Sequence, residues 1–335
     1  MYTKTRQLLA DLVTDQIVPG VSYALIDHSR VLTDVFGWRE LVPKRLQLHA
    51  GSQYDLASLT KIVGTTTVIF QLIAQGKVQL EDPVQKYLPA FQDERVQLWH
   101  LLTHTSGIAG YIPNRDRLSA ADLKAALLKL PVTATFEHEM IYTDVGFLYL
   151  GWVIEQVCGK SVQQVITERV LQPLKLAGAT FTPDPANCVP TNRKDGQLLQ
   201  GVVHDPKAHT LGRHCGSAGL FATLADLVQF SQWYLGQRPD LPELISRSFI
   251  AQLYADHTRH HLQRSLGWAL RFAPTDQHPL LFHSGYTGTF IVLDQQLQQG
   301  LIVLTNRIHP VEENPVFLDR RHLIVDQFMA ELPSN

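Results

Sequence analysis

Ser58 and Lys61 stand three residues apart in Ser58-Leu59-Thr60-Lys61, and no other Ser of the chain has a Lys three places ahead. Three residues is nearly one helical turn, so the two side chains share a face. A Ser hydroxyl is a weak nucleophile and needs a base. A Lys serves when burial or a neighbouring cation lowers its hold on the proton. Ser58 also falls where a helix should begin, after Tyr54-Asp55-Leu56-Ala57. There its backbone N–H is unpaired and the helix dipole favours negative charge. Nucleophile, base and half an oxyanion hole can thus come from one turn. The same four residues, taken alone, also fit an N-cap Ser beside a solvated Lys.

Two further groups carry chemistry. Tyr142-Thr143-Asp144 precedes an apolar helical pattern at 146–158. A Tyr beside a Ser–Lys pair can relay protons between nucleophile and leaving group. Alternatively, Tyr142 is a bonded core Tyr and Asp144 an N-cap. His283-Ser284-Gly285, continued by Tyr286-Thr287-Gly288, lies in an extended segment and is small and polar for a core strand. A Gly in such a place often marks the close approach of a ligand or another backbone. His283 can offer a charge or a hydrogen bond to a substrate carboxylate or carbonyl, or it can be a surface His. The run 101–107, with Thr103, His104, Thr105 and Ser106, reads as a structural turn with internal hydrogen bonds. His204, Asp205 and His214 match no metal spacing and read as structural or rim residues.

These residues need elements to hold them. Segments 21–28 and 31–38 read as paired strands, and 58–75 as a helix. The middle of the chain is helical in pattern, at 120–130, 146–158 and 224–235. Strand patterns return at 266–272, 280–294 and 300–306, and a last helix is expected over 318–331. Strands at both ends with helices between predict a discontinuous α/β domain, 1–85 with 265–335, and a mainly helical domain, 86–264. A pocket is expected where the two meet.

Composition narrows the function. The chain has 335 residues, with 29 Lys plus Arg against 31 Asp plus Glu. That balance argues against a general nucleic-acid binder. Three Cys residues without CxxC spacing argue against a disulfide framework or a zinc ribbon. The apolar run Ile62 to Ala74 is shorter than the ~20 residues that span a bilayer. Asp11 and Asp15 interrupt any leader-like apolar region, so the expected location is the cytoplasm. No GxSxG elbow, HExxH helix or complete phosphate loop occurs.

The order Ser-x-x-Lys, Tyr-x-Asp, His-Ser-Gly resembles the serine hydrolase family of class C β-lactamases, D-Ala-D-Ala carboxypeptidases (penicillin-binding proteins) and related esterases. Runs 101–108 (LLTHTSGI), 217–230 (SAGLFATLADLVQF) and 304–310 (LTNRIHP) resemble family sequence as well. Run 201–208 (GVVHDPKA) is similar to a subgroup of penicillin-binding-like hydrolases. The resemblance implies an α+β fold: an antiparallel sheet flanked by helices, an all-helical region, and an active site between them. It implies Ser58 as the acylated nucleophile, Lys61 as its base and anchor, and Tyr142 as proton relay. His283, Ser284 and Gly285 would form the third motif, and the N–H groups of Ser58 and Tyr286 the oxyanion hole. No metal or organic cofactor is implied. The substrate is expected to be a small ester or other acyl compound, its choice set by loops near 109–118 and 255–265. A D,D-carboxypeptidase or weak β-lactamase, and a non-catalytic binding relative, are the other readings.

Asp144 departs from the family pattern, which has Asn there. Asn donates a hydrogen bond to a substrate amide carbonyl; an ionised Asp does not. Asp144 would also pair with Lys61, hold it protonated and oppose its role as base. Ester hydrolysis is affected least.

Overall fold

The computed structural model of the chain describes residues 2–194 and 196–333. Seven strands form one antiparallel sheet in the order Leu46–Gln47, Arg30–Glu40, Gly20–Asp27, Gln299–Thr305, Phe290–Asp294, Pro279–Ser284, Ala269–Phe272. The first strands of the chain and the last ones meet at its centre, where Val21 faces Thr305 and Asp27 faces Gln299.

Side-chain alternation along these strands builds two cores. Val21, Tyr23 and Leu25, with Leu301, Val303, Phe290 and Val292, face the terminal helices Thr3–Thr14 and Pro315–Ala330. Ala24 and Ile26, with Ile302, Leu304, Ile291 and Leu293, face the helical body. Both faces are covered, so the central strands read as continuous apolar runs such as Leu301 to Leu304. The helix Thr3–Thr14 goes beyond the expected elements. It buries Thr5, Leu9 and Leu12, with Leu8 and Val13 partly buried beside them. No helix among the described residues is long and apolar enough to cross a membrane.

The helix expected over 58–75 starts as a π-helical segment, Lys61–Thr66, and continues as the α-helix Thr67–Ala74. Such wide turns are rare and often sit at functional sites. At Gly64 the Ile166 side chain packs where a Cβ would stand, at 2.8 Å, so only Gly admits the helix Val162–Ile166 so near. The helices Ala120–Leu127, Val145–Cys158 and Leu224–Tyr234 match the expected ones closely.

Segment 280–294 differs from the single extended run expected. It forms two strands that pair antiparallel, with Ser284 opposite Phe290. Gly285 N–H donates to Thr289 O at 2.7 Å, and Gly288 has a φ of 114°, which closes the turn between them. His283 is buried under this turn, so a surface setting does not hold for it.

His278 sits just before the strand Pro279–Ser284. Its Nε2 lies 2.8 Å from Asp294 Oδ2, and its Nδ1 engages Asp276. Burial opposes its charge, but the bonds to Asp294 and Asp276 outweigh burial and raise its pKa above the ordinary value. A raised native pKa stabilises the fold fully below the unfolded value and loses that contribution as pH rises through the native one. His278→Gln is therefore expected to lose most stability at about pH 5.5 and least at about pH 8.5, read by urea unfolding. An equal loss at both would show that His278 carries no charge in the fold.

Candidate active site

The strand Tyr54–Asp55 pairs with Phe221–Ala222 and leads into a tight turn at Leu56–Ser58. Ala57 lies there at φ 46°, a left-handed conformation that is costly for a residue with a Cβ. Asp55 holds it in place. Asp55 Oδ1 accepts from Ala57 N–H at 2.9 Å, and Oδ2 from His204 N–H at 2.8 Å. Burial pushes the Asp55 carboxyl up to about 6, against these two bonds. Thr287 and Thr289 donate their hydroxyls to Asp55 O and Leu56 O at 2.7 and 3.2 Å. The Ser58 turn is thus tied to the sheet turn that carries Gly285 and Tyr286.

Lys61 is completely buried. Its Nζ donates to Ser58 Oγ at 2.7 Å, to Asp144 Oδ1 at 2.7 Å and to Ser217 O at 3.2 Å. An ammonium has three donors, and all three are used. Burial disfavours this charge, but Asp144 and Tyr142 outweigh burial and raise the Lys61 pKa above its ordinary value. Asp144 opens the helix Val145–Cys158 without capping it. Its second oxygen instead accepts from Lys207 Nζ at 2.9 Å, and Lys207 also reaches Asp205 at 3.3 Å. Burial opposes ionisation of Asp144 too; Lys61 and Lys207 win and hold it well below the usual carboxylate range. The ion pair expected between Asp144 and Lys61 is present.

Tyr142 is half exposed, with its ring 5.2 Å from Lys61 Nζ. It lies over His104, ring centroids 4.4 Å apart, and 6.1 Å from His283. His104 Nδ1 in turn accepts from Thr143 N–H at 3.3 Å. The 101–107 run is therefore a support for Tyr142 as well as a turn. His104 and His283 are both held neutral, by burial first and then by the nearby charges of Lys61 and Arg264. His283 thus offers no positive charge to a substrate. Its Nδ1 donates to Ser284 O at 3.1 Å, which leaves Nε2 as an acceptor without a partner.

Ser284 Oγ accepts from Arg321 Nη1 at 3.1 Å. At Gly285 a Cβ would stand 2.5 Å from Leu56 O and 2.3 Å from Thr289 Oγ1, so the two turns touch only because the residue is Gly. Tyr286 donates to Glu312 at 2.9 Å and stacks on His204. The N–H groups of Ser58 and Tyr286 make no backbone hydrogen bond.

Ser58, Tyr142, Asp144, Ser284, Gly285 and Tyr286 line one cavity of about 750 Å³. Lys61 and His283 lie behind its wall. His204 and Asp205, read as structural or rim residues, line it as well. Among the described residues, loops 109–118 and 255–265 supply none of its lining, contrary to expectation; residues 192–194, 307, 312, 318 and 321 do. Lys207 was not among the expected site residues, and its place in the run GVVHDPKA was the available signal. Asp55 carries no such mark.

Gly285→Ala is expected to cost about 1–3 kcal/mol of stability, the usual range for overpacking. The clash should also separate the Tyr286 turn from Ser58. Thermal melts check this; an unchanged melting temperature would mean that the two turns do not depend on Gly285 to meet.

The family profile described as Beta-lactamase matches residues 5–325. A curated relative, the N-acetylmuramyl-L-alanine amidase of Bacillus subtilis (strain 168), is 25% identical, over 89% of this chain and 80% of its own. Among solved structures, EstCE1, a hydrolase with promiscuous acyltransferase activity, superposes with a TM-score of 0.78 at 20% identity, covering 96% of this chain and 97% of that one. The octameric penicillin-binding protein homologue from Pyrococcus abyssi gives 0.75 at 21% identity, covering 96% and 76%. At such identities these two structures speak for the fold, which is the one the resemblance implies. The profile match runs through Ser58, Lys61, Tyr142 and the His283–Tyr286 turn in a single span, and the chain belongs to the beta-lactamase family.

Proposed function

We propose that the chain is a serine hydrolase that works by acyl transfer through Ser58, with small carboxylic esters as its favoured substrates. The observation that carries this is the contact of the Ser58 hydroxyl with the buried Lys61 ammonium at a cavity wall. The cavity is of a size usual for small-molecule sites. Sheet-side segments 1–85 and 265–335 supply Ser58, Lys61 and the third motif, and segment 86–264 supplies Tyr142, Asp144 and Lys207.

The proton route follows from the charges. Lys61 is already protonated, so it holds Ser58 and stabilises its oxygen as the proton leaves; it does not accept that proton. Tyr142 does. The Ser58 oxygen attacks the ester carbon, and the carbonyl electron pair moves to the oxygen, which the Ser58 and Tyr286 N–H groups hold. Such donors are worth about 10²–10³ in rate each. As the Tyr142 hydroxyl takes the Ser58 proton it hands its own to the ester's alkoxy oxygen in the same exchange, so it stays neutral, and the C–O bond then breaks to release the alcohol. Water then attacks the acyl-enzyme. Its proton goes to Tyr142, and the Tyr142 proton returns to Ser58.

Asp144 favours esters in this reading. Both its oxygens already accept from lysines, and it has no N–H to offer a substrate amide. A second reading, amide hydrolysis, is favoured by the name of the Bacillus subtilis relative.

Intact-protein mass after incubation with short-chain p-nitrophenyl esters, and separately with a penicillin, tests the reading. An acyl adduct or turnover with esters, absent in Ser58→Ala, is expected. A lasting penicilloyl adduct without ester turnover would favour the amide side, and no reaction at all would point to a binding relative. Asp144→Asn restores an amide donor, so its ratio of β-lactam to ester turnover is expected to rise; a ratio that stays level would remove Asp144 from substrate selection.

A further inference from the structure

The side chain of Tyr286 stands at the cavity with its ring and its hydroxyl both engaged. The ring stacks on His204, with centroids 5.3 Å apart and planes 15° from parallel. The Arg307 guanidinium lies over the same ring, 4.6 Å from its centroid, and Arg307 Nε donates to Tyr286 O at 2.8 Å. The hydroxyl donates to Glu312 Oε1 at 2.9 Å. The ring is therefore held in one place.

Glu312 closes a seam between two distant stretches of chain. Asn306 Nδ2 donates to Pro190 O at 2.9 Å, and His309 Nδ1 to Thr191 O at 2.8 Å. His309 Nε2 accepts from Leu41 N–H at 3.0 Å, which makes Nδ1 the donor. Asn192 Nδ2 then donates to Glu312 Oε2 at 2.9 Å. Asn306, His309 and Glu312 thus meet Pro190, Thr191 and Asn192 in order. Glu312 is the last rung, and it joins the seam to Tyr286 and stands 3.5 Å from His204 Nε2. Asn192, His204, Tyr286, Arg307 and Glu312 all line the cavity that holds Ser58.

Holding exposed side chains in one geometry costs rotamer freedom and returns little stability. Tyr286 is 49% exposed and the Glu312 side chain 44%. What the arrangement does fix is a wall of the cavity, one residue from Gly285, where the sheet turn touches the Ser58 turn. A substrate group too long for the space meets the Tyr286 ring, which cannot swing aside while Glu312 holds its hydroxyl.

We propose that Glu312 is a specificity-determining residue: through Tyr286 it sets the length of the acyl or alkoxy group that the cavity admits beside Ser58. This rests on the reading of the chain as an ester hydrolase acting through Ser58.

Steady-state kinetics on two ester series tests it: p-nitrophenyl esters from acetate to octanoate, and alkyl acetates from methyl to hexyl. The proteins are wild type, Glu312→Ala, Glu312→Gln and Tyr286→Phe, with thermal melts for each. In Glu312→Ala the long-to-short ratio of kcat/KM is expected to rise roughly tenfold in one series or the other. Its kcat for p-nitrophenyl acetate should stay within about twofold. Tyr286→Phe keeps the ring but loses its bond to Glu312, and should share the rise; it carries the test if Glu312→Ala does not fold. Glu312→Gln should keep the wild-type profile. Its amide oxygen still accepts from Tyr286, and its amide N–H meets Asn192 Oδ1, now buried without a partner, once the Asn192 amide turns over. Level ratios in both series, or an equal loss at every length, would overturn the assignment and leave the ester reading standing. A wild type that turns over no ester would overturn the ester reading, and the Glu312 assignment with it.

Discussion

The site depends on one buried ammonium. Lys61 has three N–H donors and three acceptors, Ser58 Oγ, Asp144 Oδ1 and Ser217 O, and water reaches none of them through the Lys side chain. A charge in that position is tolerable only if every donor is met and an anion stands beside it. Asp144 must therefore be ionised. Its second oxygen then needs a partner of its own, and Lys207 is that partner. The three acceptors come from three distant stretches of chain, so the ammonium also pins together the nucleophile turn, the start of helix Val145–Cys158 and the 217–222 segment.

The strain at Ala57 makes sense against this background. A left-handed residue before the nucleophile aims Ser58 at the cavity, and the fold must hold it against relaxation. Four hydrogen bonds do so, two accepted by the Asp55 carboxylate and two donated by Thr287 and Thr289. The threonines belong to the same turn as Tyr286. The Ser58 and Tyr286 turns are thus fixed relative to each other by side chains, and the bare Cα of Gly285 lets them meet.

How much of this was legible follows from the range of each interaction. Ser58 and Lys61 are one helical turn apart, so spacing alone paired them. Tyr142 and His283 were legible through their order and not through any local pattern, since either residue alone fits an ordinary core position. Strand and helix periods were clear where one face is buried and failed where they are weak. The helix Thr3–Thr14 buries only Thr5, Leu9 and Leu12 fully, and 280–294 hid a turn because its polar centre still looks extended. Asp55 and Lys207 act across tertiary contacts that no local pattern reports. Loop 255–265 was expected to touch substrate. Among the described residues it lines no part of the cavity, and its hydrogen bonds close it on itself through Asp256 and Thr258.

Asp144 and Lys207 are best understood as one substitution of charge. Lys61, Asp144, Lys207 and Asp205 make a chain of two cations and two anions, neutral as a whole. With Asn at 144 the chain would carry a surplus positive charge next to Ser58, and Lys207 would lose its strongest partner. With Asp the surplus disappears, and the wall beside the nucleophile offers a substrate neither net charge nor an amide donor. A further positive charge stands at the third motif, where Arg321 donates to Ser284. Asp144 thus balances Lys61 and Lys207 at once, and the balance lets Lys61 stay charged and buried against Ser58 with Tyr142 over it.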